Sequence, residues 1–205
     1  MIDIYNDLIN DINCPFKINA YDNSLVMAKH GNPVSITKAE FLYLTNHIIQ
    51  HNYKCGYELA TAFGVSALAA SLGFKQTGGQ LVSVDAYIEE QYNYCGSYKD
   101  KCQTYVDSDG YKVATYISNK FDTQDNVSFN VGWSPKDIPE IFHKTIGESK
   151  LDYVFIDAQH YDDSVIEDTK VILPYLSNIA TLFFHDVHCF SSKFTDFLNT
   201  TFGKS

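Results

Sequence analysis

Five short apolar runs alternate with helix-like segments from residue 54 onward, and that rhythm constrains the fold more than any other feature of the sequence. The runs are 54–60 (KCGYELA), 80–84 (QLVSV), 127–131 (VSFNV), 151–156 (LDYVFI) and 180–184 (ATLFF). Apolar residues at helical spacing predict helices over 65–73, 109–121, 136–147, 163–176 and 191–200. Strands that each lead into a helix build a parallel sheet covered on both faces, so the expected class is α/β with a doubly wound sheet. Four of the strands end at or beside an acid: Glu58, Asp85, Asp157 and Asp186. Ligands of such sheets sit beyond the carboxyl ends of the strands, near the switch in strand order, and these acids fall there.

Ahead of this rhythm, residues 2–12 read as a short helix and Gly31, Asn32 and Pro33 as a loop. Thr37 and Glu40 have the spacing of a capping box, with Phe41, Leu44 and Ile48 continuing a helix to residue 51. The chain of 205 residues is close to the usual size of one domain, about 100–200 residues. It is expected to be a single domain, with a helical lead-in or lid over 1–53 and the core over 54–205. The Tyr-rich, charged segment 86–108 fits either a solvated loop or a lid over the ligand site.

Composition excludes several partners. Fifteen basic residues, all lysine, face twenty-five acids for a net charge of −10. Without arginine there is no bidentate reader of phosphate or guanine, and the net charge repels a phosphate backbone or an anionic membrane. Neither nucleic acid nor membrane is an expected partner. Five scattered cysteines with no C-x-x-C pair point to a reducing, cytoplasmic setting. The acidic start MIDIYNDLIND is unlike a cleaved leader, and the nearly apolar stretch 59–74 is too short to cross a bilayer.

The chemistry concentrates in Glu58-Leu59-Ala60-Thr61-Ala62-Phe63-Gly64-Val65-Ser66, where a strand ends in an acid, a small-residue turn follows and a helix begins. Small residues admit a ligand close to the backbone, and a helix start offers free amides. Asp85 lies 21 residues past Gly64, the distance of a carboxylate that takes ribose hydroxyls. Together with Gly132-Trp133-Ser134, LDYVFID at 151–157 and Phe184-His185-Asp186, this sequence resembles the class I S-adenosylmethionine-dependent methyltransferases. It is most similar to their catechol-type, metal-dependent O-methyltransferase branch, from about Met27 to His188.

The resemblance implies a Rossmann-like sheet in the strand order 3-2-1-4-5 and S-adenosylmethionine as cofactor. It places Glu58, Ala60, Thr61, Gly64, Ser66, Asp85, Ala86, Gly132, Trp133, Ser134, Asp157 and Ala158 around that cofactor. Asp85 falls on the ribose acid, Ser134 on the adenine side, and Asp157 and Asp186 on a divalent-cation site for Mg²⁺ or Mn²⁺. His160 stands where the branch carries its lysine base. Two carboxylates suit a hard divalent ion, and imidazole close by shifts preference toward Mn²⁺, Fe²⁺ or Zn²⁺. His185 and His188 complete the cluster at these two strand ends.

The sequence departs from the branch in three places. Ala60 replaces the first glycine of the turn, at a cost of about 1–2 kcal/mol if the backbone there is left-handed. Val187 replaces the Asn ligand after the second metal Asp, leaving a place for His188 or, in preference, water. Only 19 residues follow Asp186 in the 205-residue sequence, too few for the branch's C-terminal antiparallel hairpin. An uncovered edge strand raises the prospect of a homodimer.

The expected function is methyl transfer to a hydroxyl of a small-molecule acceptor. The alternative is a catalytically inactive cofactor-binding or partner-binding protein of the same fold. A nicotinamide oxidoreductase is disfavoured by the missing G-x-G-x-x-G turn. A metal-dependent hydrolase would need the Asp/His cluster without an adenosine pocket beside it.

Overall fold

The computed structural model describes residues 33–86 and 109–203, together with 4, 7, 8, 11, 16–18 and 24–27. The core is a five-stranded sheet of β4 (Cys55–Leu59), β5 (Gln80–Asp85), β6 (Val127–Val131), β7 (Leu151–Ile156) and β8 (Leu176–Phe184). Every pairing is parallel, as the sequence rhythm predicts, and the order is β6-β5-β4-β7-β8, which is 3-2-1-4-5 along the chain, as the resemblance implies.

Because successive side chains on a strand point to opposite faces, the sheet carries two apolar layers. Tyr57, Leu59, Val82, Val84, Val154 and Ile156 pack against α4 (Ile138–Thr145), α5 (Asp162–Ile172) and α6 (Ser192–Phe202). Leu81, Tyr153 and Phe155 pack on the other face against α1 (Lys38–His51), α2 (Val65–Thr77) and α3 (Asp109–Lys120). Gly73 lets α1 and α2 touch: a Cβ there would lie 2.8 Å from Ile48 Cβ. The Thr45 hydroxyl donates across the same contact to the Ala69 carbonyl at 2.8 Å.

The capping box forms as the spacing predicts. Glu40 N donates to Thr37 Oγ1, and the Glu40 carboxylate accepts from Thr37 N at 2.7 Å. The lead-in, however, is not purely helical. Short strands β1 (Phe16–Ile18), β2 (Ser24–Met27) and β3 (Pro33–Thr37) form a separate antiparallel sheet in that order. The breaker cluster at 31–33 reads as a loop, yet Pro33 opens a strand and Val34-Ser35-Ile36 alternates with period two behind it. Of the helix expected over 2–12, Ile4, Asp7 and Leu8 are helical and Leu8 is buried. The candidate lid 86–108 lies outside the described residues apart from Ala86.

A second correction concerns the last crossover. The helix expected to run to 176 stops at Ile172, and a 3-10 turn holds Leu173–Tyr175. Pro174 has no N–H to donate to the Lys170 carbonyl, and Leu173, still at helical angles (φ −50°, ψ −43°), donates to that carbonyl instead, which tightens the last turn. The freed residues lengthen β8, whose register against β7 slips between Leu151 and Tyr153. Among the described residues no strand follows β8, so it forms one edge of the sheet, and Ile179 on it is exposed.

Candidate functional site

The turn after β4 is built from alternating left-handed residues. Ala60 has φ of 72°, Ala62 of 44° and Gly64 of 80°. Ala60 N donates to the Val84 carbonyl at 2.8 Å and Gly64 N to the Thr61 carbonyl at 2.7 Å, which folds the chain tightly into α2. Gly64 needs both its conformation and its lack of a side chain, since a Cβ would meet Ala114 Cα at 2.8 Å. Ala60 therefore carries the left-handed penalty of about 1–2 kcal/mol. Ala60→Gly is expected to stabilise the protein by about 0.5–1 kcal/mol, once the larger entropy of the unfolded glycine chain is subtracted. Chemical denaturation measures this; a destabilised variant would contradict it.

Behind the turn lies a buried polar cluster. Glu58 is 1% exposed, and its carboxylate accepts a short hydrogen bond from the Ser83 hydroxyl. Thr61 Oγ1 lies 2.6 Å from Ser83 Oγ and donates to it. Burial pushes the Glu58 carboxyl up to about 7, with Asp157 and Asp85 adding repulsion and hydrogen bonds from Ser66 and Ser83 opposing. Asp85, also buried, accepts from Ala62 N at 2.9 Å, so the expected ribose acid and the turn are bonded to each other. Ser66 and Ala86 are buried beside them.

After β6, Gly132 N donates to the Asp85 carbonyl at 3.0 Å, and the half-exposed Trp133 follows at the rim. Ser134, expected at the adenine edge, instead points its hydroxyl at Asp168 Oδ1, 2.5 Å away on α5. Asp168 was not singled out from the sequence, yet it interrupts the buried stripe of Val165, Ile166, Thr169 and Ile172. A lone acid on such a stripe was the available signal.

The ends of β7 and β8 bring together Asp157, His160 and Asp186, whose ligand atoms all lie within 4.8 Å of one another. His160 Nε2 is 3.1 Å from Asp186 Oδ2 and 3.9 Å from Asp157 Oδ1. His185 Nδ1 is 3.2 Å from Asp157 Oδ1 and 3.4 Å from Asp186 Oδ2, and its Nε2 is 3.6 Å from Glu40 Oε1. Burial alone would raise the Asp157 carboxyl, but hydrogen bonds with His160 and His185 hold it below the usual range. The hydrogen bond with Asp157 raises the His160 imidazole and pushes His185 up to about 9.

This donor set fits a small divalent ion. Asp157 and Asp186 bring two carboxylates together from adjacent strand ends, the oxygen ligands that a hard ion such as Mg²⁺ or Mn²⁺ takes. Val187 is exposed and offers no ligand, and His188 lies 3.9 Å from Asp186 Oδ1 with most of its side chain in solvent. His160 and His185 both lie within reach of the two acids, and His188 does not. The contact from His185 to Glu40 had no signal in the sequence, because Glu40 is fully accounted for there by the capping box.

Comparison with solved structures supports the architecture. An O-methyltransferase from Bacillus cereus in complex with SAH superposes with a TM-score of 0.61 at 12% identity, over 83% of this chain and 71% of that one. TomG, an O-methyltransferase from Streptomyces achromogenes in complex with SAM, gives 0.61 at 15% identity, over 84% and 72%. SAH-bound methyltransferase PaMTH1 from Podospora anserina gives 0.57 at 17%, over 75% of this chain and 54% of its own, so this chain spans about half its length. A comparison with curated protein sequences finds no match. The sequence pattern described as "Methyltransferase domain" matches residues 57–187, which take in β4 through β8 and every strand-end acid above. The chain belongs to the methyltransferase-domain family.

Proposed function

We propose that the protein transfers a methyl group from S-adenosylmethionine to a hydroxyl of a small-molecule acceptor. The observation that carries this reading is the left-handed turn Ala60–Gly64 bonded to Asp85, facing two strand ends that converge on Asp157, His160 and Asp186. The cofactor supplies a methyl already activated on a sulfonium. The turn, Glu58, Ser66, Asp85, Ala86, Gly132, Trp133, Asp157 and Ala158 bind and orient it, with Ser134 closing the turn that carries Trp133. The protein's part is alignment, exclusion of water and control of the acceptor's proton.

Asp157 and Asp186 are proposed to hold one divalent cation, Mg²⁺ or Mn²⁺. When bound, such an ion lowers the acceptor hydroxyl's pKa and orients it. His160 is proposed as general base. Its Nε2 lies 3.1 Å from Asp186 Oδ2 and 3.9 Å from Asp157 Oδ1, carboxylates that orient the ring while its unprotonated nitrogen takes the acceptor's proton. A carboxylate that orients the base is the arrangement general-base sites use. The acidic, arginine-free composition fits a small acceptor in a cytoplasmic setting better than nucleic acid. No helix among the described residues is long and apolar enough to cross a membrane.

The first test is a thermal melt with S-adenosylhomocysteine. Ligand at 100 times its Kd stabilises the native state by about 2.7 kcal/mol, or about 5–10 °C for a chain of this size. Asp85→Ala is expected to weaken binding about tenfold, because the ribose hydroxyls lose a charged acceptor. No shift at millimolar ligand, in protein shown to be folded, would overturn the cofactor assignment. Transfer from labelled S-adenosylmethionine across an acceptor panel, with and without Mg²⁺ or Mn²⁺, then separates an enzyme from a binding protein.

A further inference from the structure

Three consecutive residues after β6 are each anchored to a different element. Gly132 is tied to the end of β5 through the Asp85 carbonyl at 3.0 Å. Trp133 is tied to the start of α4: its N–H donates to Asp137 Oδ2 at 2.9 Å, and its carbonyl accepts from Asp137 N at 2.7 Å. Ser134 is tied to α5 through Asp168. The first two anchors are local to the sheet edge. The third crosses to a helix 34 positions later in the chain and depends on a carboxylate that is 5% exposed.

Such a carboxylate is costly where it stands. Its neighbours on the helix are Val165, Ile166 and Ile172, and burial pushes its carboxyl up to about 6 against the opposing hydrogen bond from Ser134. Tyr57, fully buried in the same layer, has its hydroxyl beside Ser134 and Asp168, so these polar groups form one small island in an otherwise apolar layer. An apolar residue at 168 would pack into this layer without that cost. The compensation is local: the Ser134 hydroxyl is drawn inward, and Trp133, just before it, is left at the rim with 40% exposure.

We infer that Asp168 is a positioning residue for the cofactor's purine, acting through Ser134 to hold the Gly132–Ser134 turn so that Trp133 forms the purine wall. This rests on the cofactor reading above and adds a residue to it. It also reassigns Ser134: with its hydroxyl committed to Asp168, Ser134 anchors the wall rather than reading the adenine edge.

The chain contains a single tryptophan, so Trp133 emission reports on this turn alone when excited where tyrosine does not absorb. S-adenosylhomocysteine and adenosine are titrated into the wild type, Asp168→Asn, Asp168→Ala, Ser134→Ala and the Ser134→Ala/Asp168→Ala double variant. The wild type is expected to show a change in Trp133 emission on binding either ligand. Asp168→Ala is expected to weaken both ligands about tenfold, the worth of one hydrogen bond to a charged group. Asp168→Asn keeps an acceptor oxygen and is expected to stay within about threefold. Ser134→Ala should match Asp168→Ala, and the double variant should be no worse than either, since the two side chains act as one unit.

Should Asp168→Ala not fold, Ser134→Ala and Asp168→Asn carry the same comparison. A lower melting temperature in Asp168→Ala with unchanged Kd for both ligands would make the acid purely structural and overturn the inference. Additive losses in the double variant would overturn action through Ser134. Binding by the wild type without any change in Trp133 emission would overturn the purine wall and leave the methyltransferase reading standing. No binding by the wild type would remove both.

Discussion

Replacing Glu58 with glutamine is expected to raise the melting temperature at pH 8 and to leave it almost unchanged at pH 4. The Glu58 carboxyl, ordinarily near 4.5, is pushed up to about 7 in the folded protein, first by burial and then by Asp157 and Asp85. Below 4.5 the group is neutral in both the folded and the unfolded chain, and folding carries no electrostatic penalty from it. As pH rises toward about 7, the unfolded chain releases the proton while the folded chain retains it, so stability falls across that window and levels off above it. The full difference corresponds to about 3 kcal/mol, or about 6–10 °C for a domain of this size. Glutamine is neutral at every pH and still accepts from Ser83, so it removes the penalty while keeping the hydrogen bond. Melting curves for both proteins between pH 4 and 8 test this, and a gap that does not change with pH would refute it. The same variant is expected to bind cofactor more weakly, the usual exchange of stability for function at a strained site.

The largest effect on turnover is expected at His160. His160→Ala should lower the rate of transfer about 10²–10⁴-fold, the usual contribution of a positioned general base. Asp186→Asn should weaken dependence on added Mg²⁺ or Mn²⁺ and also loosen His160, because His160 Nε2 lies 3.1 Å from Asp186 Oδ2. Chelation of the wild type should reduce transfer, and isothermal titration with Mn²⁺ should show one site that Asp157→Asn and Asp186→Asn each weaken. Transfer unchanged by chelator and by Asp186→Asn would remove the metal from the mechanism. A loss under about tenfold in His160→Ala would remove the base.

The sheet was legible because its inner strands β4, β5 and β7 are short apolar runs buried along most of their length, while the edge strands β6 and β8 keep enough apolar residues to continue the rhythm. Its order came from the resemblance to the methyltransferases, because right-handed crossovers fix the hand of each connection but not which strands are neighbours. The β1–β3 sheet was missed because its strands are only three to five residues long, with Gly31 and Asn32 just before β3 and Pro33 as its first residue. Strand-end acids could be read as site residues, since topology alone brings the ends of β7 and β8 side by side. What the sequence could not reveal were contacts set by side-chain direction: Ser134 turned inward to Asp168, and His185 lying between Asp157 and Glu40. Ala60 is an intermediate case. Its residue type flagged a departure, but only the backbone angle of 72° shows that the turn bears the strain.

The strand order has a consequence for how the protein is made and altered. β4 sits at the centre, with β5 and β6 on one flank and β7 and β8 on the other. The flank that emerges first from the ribosome carries the turn, Asp85 and Trp133; the flank that emerges last carries Asp157, His160, His185 and Asp186. On the proposed function, most donor-binding residues are therefore synthesised before the Asp157, His160 and Asp186 cluster, with Asp157 and Ala158 shared between the two. The later segment can vary under selection, or be exchanged between related chains, with few contacts of the earlier one rewritten. Glu58 on the shared central strand, Asp168 reaching back to Ser134, Glu40 beside His185 and Asp152 accepting from Lys54 N are acids through which such an exchange would be felt.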